Sequence, residues 1–365
     1  MKILEVCEFS SGICGVWNRV LSESLEFIKL GYDITIFSSD IEKGTGKIVS
    51  HKDNINGVNI IRFNSRKNFF SKNVNSFNFK EEFNRLNPDA VITHTIHPHS
   101  FQALELCRKK NIPCFLVTHA PFNVKRVFPL NLITSVYYFF IVKPKIRKFS
   151  RIFTITKWEV PYLEKLGIDK TKLVYAPNGI PENFFRKKII PFKGKKIMFF
   201  GRIAPVKNIE VLVSAFRKID KNITLEIIGP VEKGYEEIQE LGDEKIKFLP
   251  PLYSLEEKIK KMQEADIFIL PSFREAMPQS LLEAMSLGKI VVSSDTDGGK
   301  EILKDMQNGL LFRIDSEKEL INSINKVLSM SKKEITTIQE NARKTAESFQ
   351  WKKIIEKIGK TIITS

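Results

Sequence analysis

Cysteine is scarce in this sequence, and no short motif pairs the four cysteines that it has. Cys7, Cys14, Cys107 and Cys114 form no C-x-x-C pair. They are also too sparse for a disulfide scaffold in a chain of 365 residues. We therefore expect reduced cysteines, most of them buried as small hydrophobic residues.

The sequence also lacks low-complexity tracts and long blocks of one charge, and we expect no signal peptide. Residues 1–8 include glutamates where a signal peptide needs an uninterrupted apolar stretch, so they predict a first strand and a cytoplasmic protein. Hydrophobic residues make up 42% of the chain and charged residues 27%, which indicates a globular protein. At roughly 150 residues per domain, the length favours two domains.

Acidic residues are absent from residues 107–158, a stretch that contains 11 lysines and arginines. Together with the net charge of +16, this absence predicts an anionic partner. The apolar run 127–142 inside this stretch is short for a membrane-spanning helix, which needs about 20 apolar residues. The basic and aromatic residues that border it or belong to it are Lys125, Arg126, Tyr137, Tyr138, Lys143 and Lys145.

This combination predicts a helix that lies in the headgroup layer of an anionic membrane, because cationic flanks and aromatic faces suit anionic lipid. The protein would then be peripheral on the inner face of the cell membrane. A buried core helix with solvated basic ends is the alternative. A protein that binds nucleic acid would also be basic, but lipid explains the apolar run as well, so we expect no nucleic-acid partner.

Short apolar runs alternate with longer amphipathic stretches, which predicts an α/β fold with mainly parallel sheets. The pattern breaks at residues 184–195, where basic residues, a proline and a glycine interrupt it. We therefore expect an N-terminal domain at residues 1–185 and a C-terminal domain at 186–349, with a final helix at 350–365 that joins the first domain. The predicted strands are residues 2–7, 32–37, 58–63, 90–93, 114–118, 151–156, 173–176, 196–200, 224–228, 246–249, 267–270 and 290–293.

Two loops that follow predicted strands carry residues suited to phosphate. Doubly wound sheets bind ligands at the carboxyl ends of their strands, and two such domains facing each other would form a cleft there. After the first strand, a glycine-containing turn with Gly15 precedes a helix and allows close backbone approach to a ligand. After residues 196–200, Arg202 and Lys207 precede another helix, where fixed cations would stabilise a departing diphosphate. An ordinary tight turn and two surface cations are the alternatives.

Two carboxylates flank the start of a predicted helix after residues 267–270. Glu275 lies in the loop, and Pro278 suits the first turn of the helix from which Glu283 projects. Carboxylates accept hydrogen bonds from sugar hydroxyls even where they transfer no proton. The pair therefore predicts a site that handles a sugar.

The Glu-x7-Glu element of Glu275 and Glu283, with Glu-Ala-Met-Pro before Leu-Leu-Glu-Ala-Met, resembles the signature of retaining glycosyltransferase family 4. Further segments resemble that family over nearly the whole chain: Gly201-Arg202 with Lys207-Asn208, Pro177-Asn178-Gly179-Ile180, Thr118-His119-Ala120, Gly298-Gly299 with Glu301, and Asn308-Gly309-Leu310-Leu311. The resemblance implies the GT-B fold, in which two Rossmann-like doubly wound domains face each other across a cleft and the second holds most of the nucleotide.

The resemblance also implies roles for single residues. Glu283 would bind the ribose hydroxyls, while Glu275 and His119 would contact the transferred sugar. Arg202 and Lys207 would bind the diphosphate, so that Glu275, His119, Arg202 and Lys207 are the predicted catalytic residues. The other predicted contacts are Gly15, Asn178, Met277 and Pro278 on the donor side and His97 on the acceptor side.

By this resemblance the chain is a hexosyltransferase that needs no metal and moves a hexose from a UDP- or GDP-sugar to a glycan or lipid-linked acceptor. Retention of configuration and a place in the synthesis of cell-surface polysaccharide, lipopolysaccharide or glycolipid are also implied. One alternative is a basic protein that binds a polyanion or membrane without catalysis. Another is a GT-B relative with diverted chemistry, such as a sugar-nucleotide epimerase or a phosphorylase.

Two patterns resemble metal sites. The Asp-x-Asp pattern that begins at Asp295 is found in metal-dependent glycosyltransferases, yet here it leads into a glycine turn where short polar residues are common. His94, His97 and His99 alternate at the end of a strand, so at least one of them points away from the others. We therefore expect neither a metal nor a cofactor.

Overall fold

The computed structural model describes residues 1–12, 14–68, 71–123, 135–219 and 222–365. They form two compact units. Unit 1 contains Met1–Gly179 and Trp351–Ser365, and unit 2 contains Ile180–Gln350. The boundary predicted from the sequence lies slightly later, between residues 185 and 186.

Unit 1 contains ten described strands, most of which are parallel. They are β1 (Lys2–Phe9), β2 (Asp33–Ser39), β3 (Lys52–Ile55), β4 (Val58–Phe63), β5 (Ser65–Asn68), β6 (Ser71–Phe77), β7 (Ala90–His94), β8 (Cys114–Val117), β9 (Arg151–Thr154) and β10 (Leu173–Tyr175). Eight of them form a sheet in the order β10-β9-β8-β7-β1-β2-β4-β3. Within this sheet only β3 is antiparallel to its neighbour, and β5 and β6 pair separately as antiparallel strands.

Unit 2 contains one described sheet of six strands, in which every neighbouring pair is parallel. The strands are β11 (Lys196–Phe200), β12 (Thr224–Ile228), β13 (Ile246–Leu249), β14 (Ile267–Leu270), β15 (Ile290–Ser294) and β16 (Leu310–Phe312). Their order is β13-β12-β11-β14-β15-β16. Each strand that the sequence predicts is present, whereas β3, β5, β6 and β16 were not predicted.

Helices alternate with the strands along the chain. They are α1 (Gly15–Lys29), α2 (Lys80–Leu86), α3 (Pro98–Lys110), α4 (Lys143–Ile146), α5 (Val160–Lys165), α6 (Glu182–Phe185), α7 (Ile209–Arg217), α8 (Leu255–Gln263), α9 (Gln279–Ser286), α10 (Asp297–Ile302), α11 (Glu317–Ser329), α12 (Lys332–Glu347) and α13 (Trp351–Ile363). A π-helical turn (Tyr138–Val142) precedes α4, and short 3₁₀ turns occur at Pro121–Asn123, Lys170–Lys172, Pro205–Lys207 and Glu236–Leu241.

The buried strands explain the continuous apolar runs in the sequence. In β1 every residue after Lys2 is buried, as expected for a parallel strand that is covered on both faces of the sheet. The C-terminal helix α13 shows helical spacing instead, since Ile354, Ile355, Ile358 and Ile362 are buried on one side. Hydrophobic burial is therefore continuous along the buried strand and confined to one side of the helix.

The C-terminal helix α13 is fixed to unit 1 by its first residue. Trp351 is 4% exposed, and its ring packs so closely on Gly179 that a Cβ there would lie 2.2 Å from the ring. Only glycine fits at this position. The Asn-Gly turn at Asn178 therefore packs directly against the C-terminal helix.

Both large sheets have a point where the strand order reverses. In unit 1, β1 lies between β7 and β2, and in unit 2, β11 lies between β14 and β12. Loops that leave two such strands diverge, and doubly wound sheets bind ligands in the resulting crevice. The loops after β11 and β14, and the residues at the ends of β1 and β7, are therefore where a site is expected.

Candidate active site

In unit 2, the loops after β11 and β14 bring Lys207 and Glu275 together. The Lys207 Nζ lies 2.6 Å from the Glu275 Oε1, and the Ser272 hydroxyl donates to the same oxygen at 2.6 Å. The two loops are also joined through their backbones, because the Phe273 N–H donates to the Val206 carbonyl at 2.9 Å. Both charged side chains are largely buried, with exposed fractions of 20% and 10%. Water and salt therefore screen this pair less than a surface pair.

The backbone around Glu275 is held by the start of α10. The Gly298 N–H donates to the Glu275 carbonyl at 3.1 Å, and a Cβ on Gly298 would lie 2.5 Å from the Ala276 carbonyl oxygen. A larger residue at Gly298 would therefore push the glutamate loop away.

Arg202, on the same loop as Lys207, has a different partner. Its guanidinium forms an ion pair with Glu232, and both side chains are about half exposed, at 52% and 41%. The Glu232 N–H donates to the Ile203 carbonyl at 2.8 Å, which holds this carboxylate beside the loop. An exposed ion pair contributes little to stability, so an anion can compete with Glu232 for the guanidinium.

Glu283 lies inside α9 and is 4% exposed. The Lys258 Nζ from α8 lies 2.5 Å from its Oε2, and the same ammonium lies 5.1 Å from the centre of the Phe200 ring. The two carboxylates of the Glu-x7-Glu element thus pair with different lysines. The buried Met277 and Pro278, which caps α9 rather than entering its first turn, connect them.

In unit 1, a chain of hydrogen bonds runs inward from His119, which follows β8. The His119 Nε2 lies 3.1 Å from the His94 Nδ1, and the His94 Nε2 lies 3.0 Å from the Glu5 Oε2. The Ser24 hydroxyl donates to the other oxygen of Glu5 at 2.8 Å. His119 and Ala120 have positive φ angles of 58° and 48°, which residues with side chains adopt uncommonly.

Burial keeps the members of this chain neutral near pH 7. It raises the pKa of Glu5 to about 8, although the Ser24 hydrogen bond and the Arg19 charge act to lower it. Burial lowers the pKa of His94 to about 4. It also lowers the pKa of His119 well below its usual value, and His94 and Arg19 act in the same direction. None of the three therefore carries a full charge at neutral pH.

Arg19 occupies the buried space next to this chain. Its Nε lies 3.0 Å from the Glu23 Oε2, and both side chains are almost fully buried. The Arg19 Nη1 donates to the Asn178 side-chain oxygen at 2.9 Å, and the guanidinium lies 5.5 Å from the centre of the Trp351 ring. Asn178, predicted as a donor contact, therefore holds Arg19 in this structure.

The histidines that follow β7 do not converge on one point. His97 lies 3.2 Å from a carboxylate oxygen of Glu8, whereas the His99 Nε2 donates to the His94 carbonyl at 2.9 Å. Among the described residues, the one group with atoms close enough for a metal is Glu5, Glu23 and His94. The Arg19 charge beside Glu23 disfavours a cation there.

The described part of the basic, apolar stretch has one buried and one exposed face. Val142 is fully buried, and Tyr138 packs against the hydrophobic core of unit 1. In contrast, Phe139 and Phe140 are 60% and 66% exposed, and Tyr137 is 37% exposed. The stretch is therefore not a fully buried core helix in its described part.

The basic residues of this stretch contact its aromatic rings and one acid. The Lys143 ammonium lies 5.4 Å from the centre of the Phe139 ring, and the Lys145 Nζ lies 2.8 Å from the Glu105 Oε1. Lys125 and Arg126, also predicted for this surface, lie outside the described residues. Gly15, the first residue of the helix α1 that follows β1, is exposed.

The partners of the predicted residues were not predicted from the sequence. They are Glu5, Arg19 and Glu23 in unit 1 and Lys258 in unit 2. One signal was available, because Glu5 stands between the apolar residues Leu4 and Val6 of a predicted buried strand. A buried carboxylate is rare unless a partner compensates for it.

Two family models match successive parts of this chain. Residues 13–184 match the model described as Glycosyltransferase Family 4, and residues 181–345 match the model described as Glycosyl transferases group 1. Both matches agree with the family predicted from the Glu-x7-Glu element, which is thereby confirmed. The two models meet close to the boundary between the two units.

Curated relatives are also glycosyltransferases. Two uncharacterised glycosyltransferases of Methanocaldococcus jannaschii are 27% and 25% identical to this chain, over 55% and 51% of its length. The chain spans about half the length of these relatives, 52% and 56%. An uncharacterised glycosyltransferase of Haemophilus influenzae is 23% identical over 98% of both chains. An Escherichia coli relative, UDP-Gal:alpha-D-GlcNAc-diphosphoundecaprenol alpha-1,3-galactosyltransferase, is 25% identical over 54% of this chain and 55% of its own.

Solved structures confirm the fold class. Sucrose-phosphate synthase of Thermosynechococcus elongatus has a TM-score of 0.77 at 15% identity, and the match covers 100% of this chain and 98% of the synthase chain. Anabaena HepE in complex with UDP-glucose has a TM-score of 0.73 at 16% identity, with 100% of both chains covered. At these identities the likeness shows the fold alone, which is GT-B as predicted.

Proposed function

This chain belongs to glycosyltransferase family 4, and we propose that it transfers a hexose from a UDP- or GDP-sugar to a lipid-linked or glycan acceptor. We further propose that the transfer retains the anomeric configuration and needs no metal ion. The observation that carries the proposal is the Lys207–Glu275 pair at the strand-order reversal of unit 2. It joins a cation suited to phosphate with a carboxylate suited to sugar hydroxyls.

The ion pair suggests how the donor engages the site. In the proposed complex, Lys207 leaves Glu275 for the donor diphosphate, and Arg202 leaves Glu232 for it as well. Negative charge develops on the diphosphate as the sugar bond breaks, and these fixed cations stabilise it. The Glu275 carboxylate, released from the lysine, then accepts hydrogen bonds from the sugar hydroxyls.

The remaining donor contacts follow the resemblance. Glu283 would accept hydrogen bonds from the ribose hydroxyls, with Lys258 holding it in place. His119 would contact the transferred sugar. The other proposed donor contacts are Gly15, Asn178, Met277 and Pro278.

The acceptor class is supported by relatives and by the surface of unit 1. The E. coli relative is named for a diphosphoundecaprenol-linked acceptor, and a relative from Mycobacterium tuberculosis is named phosphatidyl-myo-inositol mannosyltransferase. Both names describe amphiphilic acceptors. We propose a lipid-linked acceptor here too, in the synthesis of a cell-surface glycan or glycolipid, with His97 on the acceptor side.

A panel of sugar nucleotides tests the donor site. Thermal shift and donor hydrolysis would be measured with UDP-glucose, UDP-GlcNAc, UDP-galactose and GDP-mannose for the native protein, Lys207→Ala, Glu283→Ala and Lys218→Ala. Lys218→Ala is the control, because it breaks another lysine–glutamate ion pair of unit 2, a more exposed one with 2.7 Å between Lys218 and Glu317. We expect one sugar nucleotide to stabilise the native protein and the control, and Lys207→Ala to lose about 100-fold in turnover. Stabilisation by none of the four would contradict the proposal.

We also propose that the exposed aromatic face at Phe139 and Phe140 lies on an anionic membrane, at the inner face of the cell membrane. Within the described ranges, every helix falls short of the length and apolar character needed to cross a bilayer. The face would instead insert its rings among the headgroups, with Lys143 and Arg147 near anionic lipid.

Vesicle sedimentation tests the membrane proposal. Binding to vesicles that contain phosphatidylglycerol would be compared for the native chain and the double variant Phe139→Ser/Phe140→Ser. Tyr253→Ser is the control, because Tyr253 is 77% exposed but belongs to unit 2. Two lost aromatic contacts should weaken binding at least tenfold, while the control should bind as the native chain does. Equal binding of all three proteins would refute the membrane face.

A further inference from the structure

The hydrogen-bond chain from His119 to Glu5 has a fully buried inner end and an outer end that reaches the surface. Glu5 and His94 are fully buried, whereas His119 is partly exposed. His94 uses both ring nitrogens, Nδ1 towards His119 and Nε2 towards Glu5. Because a neutral imidazole carries one proton, one of its nitrogens donates and the other accepts. The protonation state of Glu5 therefore sets the direction of the whole chain.

Two arrangements of protons satisfy this geometry. When Glu5 is a carboxylic acid, it donates to the His94 Nε2, the His94 Nδ1–H donates to the His119 Nε2, and the His119 Nδ1 carries a proton. When Glu5 is a carboxylate, the His94 Nε2–H donates to it, the His119 Nε2–H donates to the His94 Nδ1, and the His119 Nδ1 is bare. The second arrangement has one proton fewer. That proton leaves the His119 Nδ1 for solvent, while each inner proton moves across one hydrogen bond.

We propose that Glu5 and His94 are positioning residues that decide whether the His119 Nδ1 is a hydrogen-bond donor or an acceptor. The donor form is the one that holds the transferred sugar. This inference rests on the proposed function, because it takes His119 as a contact of that sugar. The strained backbone at His119, with φ at 58°, fits a ring that must face His94 and a ligand at once.

The surroundings of Glu5 decide which arrangement is present at neutral pH. Burial raises its pKa to about 8, so the carboxylic acid prevails at pH 7. The Ser24 hydroxyl and the Arg19 charge favour the carboxylate, but burial outweighs them. The other titratable groups that face the chain are Glu23 on α1, Cys7 on β1 and His97 after β7.

Glu5→Gln removes the group that ionises at the inner end of the chain. The glutamine amide can donate to the His94 Nε2 at every pH, as the carboxylic acid does, but it cannot ionise. In the native protein, kcat/KM for transfer should fall about tenfold per pH unit above pH 8. In Glu5→Gln this alkaline fall should be absent. Ser24→Ala removes a hydrogen bond that favours the carboxylate, so its midpoint should move to higher pH. Glu26→Gln, an uncharging change elsewhere on α1, should keep the native profile.

The tautomer of His119 can be observed without any variant. In ¹⁵N-histidine NMR of the native protein, which has five histidines, the proton should move from Nδ1 to Nε2 of His119 as pH rises through about 8. An unchanged tautomer between pH 6 and 9 overturns the proposal, as does an alkaline fall that persists in Glu5→Gln. If the native protein turns over no nucleotide sugar, the proposed function fails and the sugar role of His119 fails with it. If transfer occurs but the tautomer does not switch, this inference alone is refuted.

Discussion

The buried carboxyl of Glu5 should make the stability of unit 1 depend on pH, and Glu5→Gln should remove that dependence. The pKa of Glu5 is raised from 4.5 to about 8 by burial. The contribution of such a group is fully present below pH 4.5, where both folded and unfolded states are protonated, and is lost as pH rises towards 8. Between pH 5 and pH 8 the loss amounts to about 3.5 kcal/mol.

Denaturation with urea at several pH values measures this loss. The free energy of unfolding of Glu5→Gln, relative to the native chain, should rise by about 3.5 kcal/mol from pH 5 to pH 8 and then level off. The glutamine keeps the volume of the side chain and its hydrogen bonds, so the comparison isolates the charge. Glu26→Gln, which removes a partly buried carboxyl of α1 that pairs with Lys29, is the control and should show no such trend. A difference that stays constant over this range would mean that Glu5 is already ionised in the folded protein, and the reasoning would be wrong.

Three further changes test other parts of the structure. Burial lowers the pKa of His99 to about 4. The contribution of His99 to the free energy of unfolding is therefore present above pH 6.5 and lost as pH falls through 4. Urea titrations at pH 7 and pH 4 should show that His99→Gln reduces the acid destabilisation by roughly 3 kcal/mol. Gly298→Ala should displace the Glu275 loop and lower transfer at least tenfold with an unchanged circular dichroism spectrum, and full activity would contradict the close packing. Trp351→Ala should cost about 3 to 5 kcal/mol of stability, measured by chemical denaturation, and an unaltered midpoint would show that α13 is dispensable.

The strands that the sequence predicts are those with continuous apolar runs, and the missed strands lack them. β14 is four buried apolar residues in a row, and its bounds were predicted from the sequence alone. β3 lies at the edge of the sheet, and its first three residues are exposed while the last is partly buried. No apolar run therefore marks this strand in the sequence. An edge strand depends on its partner's backbone for its hydrogen bonds, and that dependence is not visible in its own residues.

The donor side was predicted from residue types and spacing, but its internal pairing was not. Arg202 and Lys207 were predicted to bind the donor diphosphate together. In the structure, they hold different carboxylates, Glu232 and Glu275. Which carboxylate a lysine meets depends on how two loops after different strands lie side by side, and spacing along the chain carries no such information.

Both groups of ionisable residues lie where the strand order of a sheet reverses, and each breaks the rule that ionisable side chains are rarely buried. In unit 1 the sheet places Glu5 of β1 beside β7, which ends at His94. In unit 2 the loops that leave β11 and β14 place Lys207 beside Glu275. Glu5 lowers stability at pH 7 by its burial, and an apolar residue in β1 would avoid that loss. A fold that keeps such a costly group at its ligand-binding edge indicates a functional demand there, and the demand that we propose is the direction of the hydrogen bond that His119 offers.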